Sequence, residues 1–86
     1  MTNKEFIGKC FFISEYNVYI KIIDVFEDSE TGWWLYDSVE FYDDDVTMRL
    51  QYYKESPCDN FKHFNDYKRI SEEEFNQQVS KIKQFV

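Results

Sequence analysis

The 86-residue chain contains no alanine, two leucines, two glycines and one proline. Without Ala, and with so little Leu, the residues that most favour helices are scarce. Nine Phe, seven Tyr and two Trp supply about half of the apolar residues, and with the β-branched residues they favour strands. So few Gly and Pro leave no linker or low-complexity stretch. No apolar run approaches the ~18 residues of a membrane-crossing helix. Lys4 and Glu5 precede only Phe6-Ile7 before polar residues return, which is no signal peptide. A cytoplasmic protein is therefore expected, with one compact core over residues 1–86 and no room for a dinucleotide-binding fold.

The residues that carry most enzyme chemistry are also scarce. There is a single histidine, His63, and the cysteines Cys10 and Cys58 lie far apart in the sequence, which suits neither a redox pair nor a metal knuckle. Cys58, Asp59, His63 and Asp66 lack the close ligand pairs of a zinc site. Asp43-Asp44-Asp45 has neither the alternate ligand spacing nor the glycine of a calcium loop. Gly8 and Gly32 stand alone, so no loop cradles a phosphate, and no serine occupies a nucleophile elbow. The expectation is a non-enzymatic protein with no catalytic residue, no metal and no cofactor.

Basic residues are missing altogether between Lys21 and Arg49. Residues 22–48 hold Asp24, Glu27, Asp28, Glu30, Asp37, Glu40, Asp43, Asp44 and Asp45, so this stretch carries −9 while the rest of the chain carries +2. Such a block predicts a strongly electronegative face. Direct binding of nucleic acid or of an anionic membrane is disfavoured; the partner favoured by charge is a basic protein.

The apolar pattern predicts an α+β domain: a small, strongly bent antiparallel sheet or SH3-like open barrel of 4–5 strands with one C-terminal helix. Strands are expected at about 6–13, 18–27, 33–42, 46–54 and 67–70, with Gly8 at a bulge. Val18, Ile20 and Ile22 alternate, then Ile23 and Val25 continue in the opposite phase, which predicts a bulge or sharp bend. Asp28 to Gly32 forms a hairpin connection, with Gly32 suited to a positive φ. Residues 55–66 are ambiguous: Phe61 and Phe64 are one helical turn apart, while Pro57 and Asn60 favour a loop. The helix is expected over about 72–85. Ser71 and Glu74 form a capping box, acids fill the first turn, Lys81 and Lys83 lie near the end, and Phe75, Val79 and Ile82 make one apolar stripe.

Adjacent strand residues point to opposite faces, so only one of Trp33 and Trp34 can face a single-layer core. Trp34, on one face with Tyr36 and Tyr42, is either an exposed anchor, Trp being among the commonest binding hot spots, or covered by the C-terminal helix, in which case Trp33 is the candidate. The expected partner-binding set is Glu27, Asp28, Glu30, Trp34, Tyr36, Glu40, Tyr42, Asp43, Asp44 and Asp45. Carboxylates at alternate strand positions, about 6.6 Å apart, match roughly every second phosphate of a nucleic-acid strand. The expected function is inhibition of a nucleic-acid-binding enzyme or nuclease by occupation of its basic groove. In size, charge and compactness the chain resembles phage-encoded anti-CRISPR proteins and other DNA mimics, and also immunity proteins against nuclease toxins. The residue usage, rich in AT-encoded Ile, Phe, Tyr, Asn and Lys, points to an AT-rich bacterium, phage or mobile element, and a phage or mobile-element origin is expected. The alternatives are a small-molecule pocket between sheet and helix, lined by Phe11, Tyr19, Trp33 and Tyr52, and an adaptor using a strand edge.

Overall fold

A computed structural model describes residues 3–43 and 48–83, with the backbone alone at 82 and 83. Five strands form one antiparallel sheet: β1 (Cys10–Ile13), β2 (Val18–Glu27), β3 (Trp34–Asp43), β4 (Met48–Pro57) and β5 (Lys68–Ile70). The order across the sheet is β4-β3-β2-β1-β5, so β4 and β5 are its edges and the sheet stays open. Two 3-10 helices, Asn3–Phe6 and Phe61–Asp66, and the helix α1 (Glu72–Lys83) complete the molecule, which is elongated at 42 × 22 × 21 Å. No helix among the described residues is long and apolar enough to cross a membrane.

Both faces of the sheet are covered. On one, Phe11, Ile20, Ile22 and Val25 pack against Phe6 and against Phe61 and Phe64 of the two 3-10 helices. Asn60 opens the second of these helices by accepting the Lys62 N–H with its side chain, at 3.1 Å, while Pro57 lies before it as the last residue of β4, and Phe61 and Phe64 form one buried turn. On the other face, Phe75 and Val79 of α1 pack on Cys10, Ile70, Phe12, Tyr19 and Val39. Ser71 caps α1 by accepting the Glu74 N–H at 3.0 Å, and Lys21 reaches Glu72 at 2.6 Å. The side chains of Ile82 and Lys83, and helix positions 84 and 85, lie outside the described residues, as do Val46 and Thr47 at the expected start of the fourth strand.

Several boundaries differ from the expected ones. Phe6 belongs to a 3-10 helix rather than to the first strand, and β1 begins only at Cys10. Gly8, at φ +85°, causes the break. Its N–H donates to the Ile22 carbonyl at 2.7 Å while the Ile22 N–H donates to the Lys9 carbonyl at 3.0 Å. Two residues thus oppose one, a glycine bulge. In β2 the register slips between Ile22 and Asp24. Ile23 is the extra residue, 37% exposed, and bulging it out of the ladder keeps Val25 on the face of Val18, Ile20 and Ile22. In unbroken alternation Val25 would leave the core, because a one-residue shift moves a side chain to the other face. A third slip separates Tyr36 from Ser38 against β4, where Glu55 takes up φ +54°. The three irregularities fall on one line across the sheet and crease it. Ser38, fully buried at the crease, has a hydroxyl with no partner.

Candidate functional site

Beyond the crease, β2, β3 and β4 continue past the cover of α1 as a three-stranded arm. Residues 23–37 and 55–57 of this arm hold Asp24, Glu27, Asp28, Glu30, Asp37 and Glu55 and no Lys, Arg or His. Asp24 and Asp37 are direct cross-strand partners, an arrangement that costs stability. Each instead accepts a backbone N–H at 2.9 Å, from Val25 and Glu55 respectively. The ion pairs found among the described residues, Lys21–Glu72 and Lys81–Asp43, both lie elsewhere.

The turn that joins β2 to β3 is fixed by its own side chains. The Asp28 carboxylate accepts the Thr31 hydroxyl at 2.8 Å and the Glu30 N–H at 3.2 Å, which holds its carboxyl below the usual range. Gly32, at φ +74°, donates its N–H to the Asp28 carbonyl at 2.8 Å. The Trp33 N–H donates to the Thr31 hydroxyl at 3.2 Å. Trp33 leaves this turn 63% exposed, between Glu30 and the start of β3.

The exposed tryptophan is therefore Trp33, not Trp34 as expected. Trp34 and Tyr36 are half-buried against the 3-10 helix core. Tyr36 lies edge-on to Phe61 and Phe64 at 5.7 and 5.6 Å, and burial pushes its phenol up to about 12. Trp34's face is covered by the 3-10 helices at 3–6 and 61–66, not by α1.

The remaining expected residues that the structure describes lie towards the other end of β3, roughly 20–30 Å from Trp34 at about 3.3 Å per residue. Glu40, Tyr42 and Asp43 converge there on a cleft of about 540 Å³, and Asp44 and Asp45 lie outside the described residues. The described acids of this stretch thus do not form one cluster: Asp24, Glu27, Asp28, Glu30 and Asp37 lie on the arm, while Glu40 and Asp43 lie towards the other end of β3. Inside the cleft, the Tyr42 hydroxyl donates to Glu40 at 3.4 Å and stands 3.1 Å from the Tyr53 hydroxyl, which donates to Gln51. Burial pushes the Glu40 carboxyl up, opposed by the Tyr42 hydrogen bond. Folding therefore favours protonated Glu40, and this contribution to stability is lost as pH rises through the raised value. Relative to wild type, Glu40→Gln should gain thermal stability progressively from the ordinary glutamate range towards neutrality. Parallel pH profiles of Tm for the two proteins would count against it.

The pocket expected between sheet and helix does not form. Phe11 and Tyr19 face opposite sides of the sheet, and Trp33 and Tyr52 are exposed, at 63% and 50%. Cys10 and Cys58 are free and buried on opposite faces, with burial pushing both thiols up. No three His, Cys, Asp or Glu side chains gather for a metal among the described residues. Trp33, Asp24, Asp37 and Glu55 were not in the expected set. Gly32 was the available signal for Trp33, because a positive-φ residue ends the turn and leaves its neighbour outside the ladder. Compared with known proteins, the chain matches no family model, no curated protein and no solved structure.

Proposed function

We propose that this protein is a non-enzymatic inhibitor that docks the creased arm into the basic, nucleic-acid-binding groove of another protein. The observation that carries this reading is Trp33, exposed on a side-chain-locked turn at the tip of an arm whose residues 23–37 and 55–57 hold six acids and no basic residue. A rigid aromatic anchor loses little entropy on binding, and the surrounding charge steers and selects a basic partner. Retention of the unfavourable Asp24–Asp37 pairing also supports a surface kept for its charge, since local rules are most often broken at functional sites. The buried, high-pKa thiols support a non-enzymatic role, as neither is a ready nucleophile. Phage-encoded inhibitors of bacterial defence nucleases, of the anti-CRISPR and DNA-mimic kind, fit this chemistry.

The test is capture from bacterial lysate at low and at high salt, followed by competition. A basic DNA- or RNA-binding protein should be retained at low salt and released at high salt, and the pure chain should displace nucleic acid from it in an anisotropy assay. Glu27→Lys/Glu30→Lys, two exposed positions, should abolish displacement while melting like wild type. Undiminished displacement by the double variant would remove the arm from the interface.

A further inference from the structure

We propose that the cleft at the opposite end of β3 binds an organic cation, an ammonium or guanidinium group carried on a short apolar stem. The site lies far from Trp33 and does not depend on the arm being an interface. Its floor is Ile13 and buried Val18, and its walls are Glu40, Tyr42 and Tyr16. This mixture of an apolar base with a few converging polar groups is typical of small-ligand sites.

Three observations point to a cation. First, Glu40 is half-buried and has no Lys, Arg or His within 4 Å among the described residues. Its hydrogen-bond donor there is the Tyr42 hydroxyl at the long distance of 3.4 Å. A partly desolvated carboxylate without a counter-ion is costly, and a bound cation relieves that cost. Second, the cleft already accommodates a cation on an aromatic ring: the Arg49 guanidinium lies 4.4 Å above the centre of Tyr42. Third, the wall that carries Tyr16 is preset. Asn17, at φ +56°, donates its side-chain amide to the Asp43 carbonyl at 3.1 Å and accepts the Asp43 N–H on its own carbonyl at 3.2 Å. Tyr16 is thereby held at the rim, 70% exposed, where its ring can close over a stem. The Asp43 carboxylate at the mouth is partly neutralised by Lys81 at 3.6 Å, which leaves Glu40 as the principal anion. Arg49 limits the charge the cleft can take, since a second positive centre on the ligand would face its guanidinium.

The test is an NMR titration that follows the Tyr16 ring and Val18 methyl signals. The probes are n-butylammonium, n-butanol, butyrate, 1,4-diaminobutane and N-acetyl-lysine methylamide. Saturable shifts are expected with n-butylammonium, weaker ones with the dication, and none of comparable affinity with the alcohol or the acid. Binding by the lysine derivative would show that the cleft takes a protein side chain, and its failure beside n-butylammonium would restrict the site to free amines. Glu40→Gln should weaken n-butylammonium at least tenfold, and affinity should fall as pH is lowered through the Glu40 titration. Should Glu40→Gln not give a folded spectrum, Tyr16→Ala, at an exposed position, should weaken binding several-fold. Equal affinity for n-butanol, unchanged binding in a folded Glu40→Gln, or no saturable shift with n-butylammonium would each overturn the proposal.

Discussion

Replacing Phe61 with alanine should cost about 3–5 kcal/mol of stability, the usual range for a large aromatic removed from a closed core. Phe61 is 1% exposed. Its ring touches the three groups that hold the arm-side core together: Phe6 at 5.7 Å, Tyr36 at 5.7 Å and Phe64 at 6.1 Å. The surrounding residues belong to two 3-10 helices and a strand, which limits how far the site can collapse around a cavity. A chain of this size has a total stability of roughly 5–15 kcal/mol, so the variant should sit near its unfolding threshold. Urea denaturation should show a much lower midpoint with little change in slope. A loss below about 1 kcal/mol would mean that the Phe61–Asp66 segment is not docked on the sheet, and Tyr36 would lose its shield with it.

The second large effect separates two neighbours. Trp33→Ala should leave the melting temperature almost unchanged, because surface substitutions away from caps and cores stay within about 0.5 kcal/mol. The same change should weaken binding to the basic partner by about 2 kcal/mol or more, some thirtyfold in affinity. Trp34→Ala should do the reverse, costing about 2 kcal/mol of stability through lost packing on the Phe6/Phe61/Phe64 core, with affinity intact in the fraction that remains folded. Thermal melts and a salt-dependent binding assay on the two variants decide the matter. If both variants melt early, the turn of Asp28 and Thr31 does not hold Trp33 clear of the core.

How much of this was legible depended on the range of the interactions involved. The phase slip after Ile22, the turn at Gly32 and the Ser71 cap are local, and all are readable because each has a residue-level cause. The choice between Trp33 and Trp34 was only partly local, since Gly32 marks Trp33 but says nothing of what covers Trp34. It turned on which face the Phe61–Asp66 segment covers, and that segment reaches Trp34 and Tyr36 only through tertiary contact. The split of the acidic block was hidden for a similar reason. Sequence distance between Asp28 and Asp43 is short, but the ten-residue strand β3 turns it into a separation of nearly that strand's full length. The cleft around Glu40 depends on Asn17 meeting Asp43 across the sheet, a pairing that no motif announces.

The sheet order also has a kinetic consequence. β2, β3 and β4 pair with their sequence neighbours, and each hairpin closes a short loop. The pairing of β1 with β5, in contrast, joins Cys10 to Ile70 across most of the chain, and such distant closure is slow. The meander should therefore form first, leaving β1 as a bare edge and Cys10 and Phe12 uncovered until β5 and α1 arrive. Synthesis on the ribosome lengthens that interval, since the covering segment emerges last. Premature strand pairing between copies is the hazard of that window, and it ends when β5 and α1 settle onto β1.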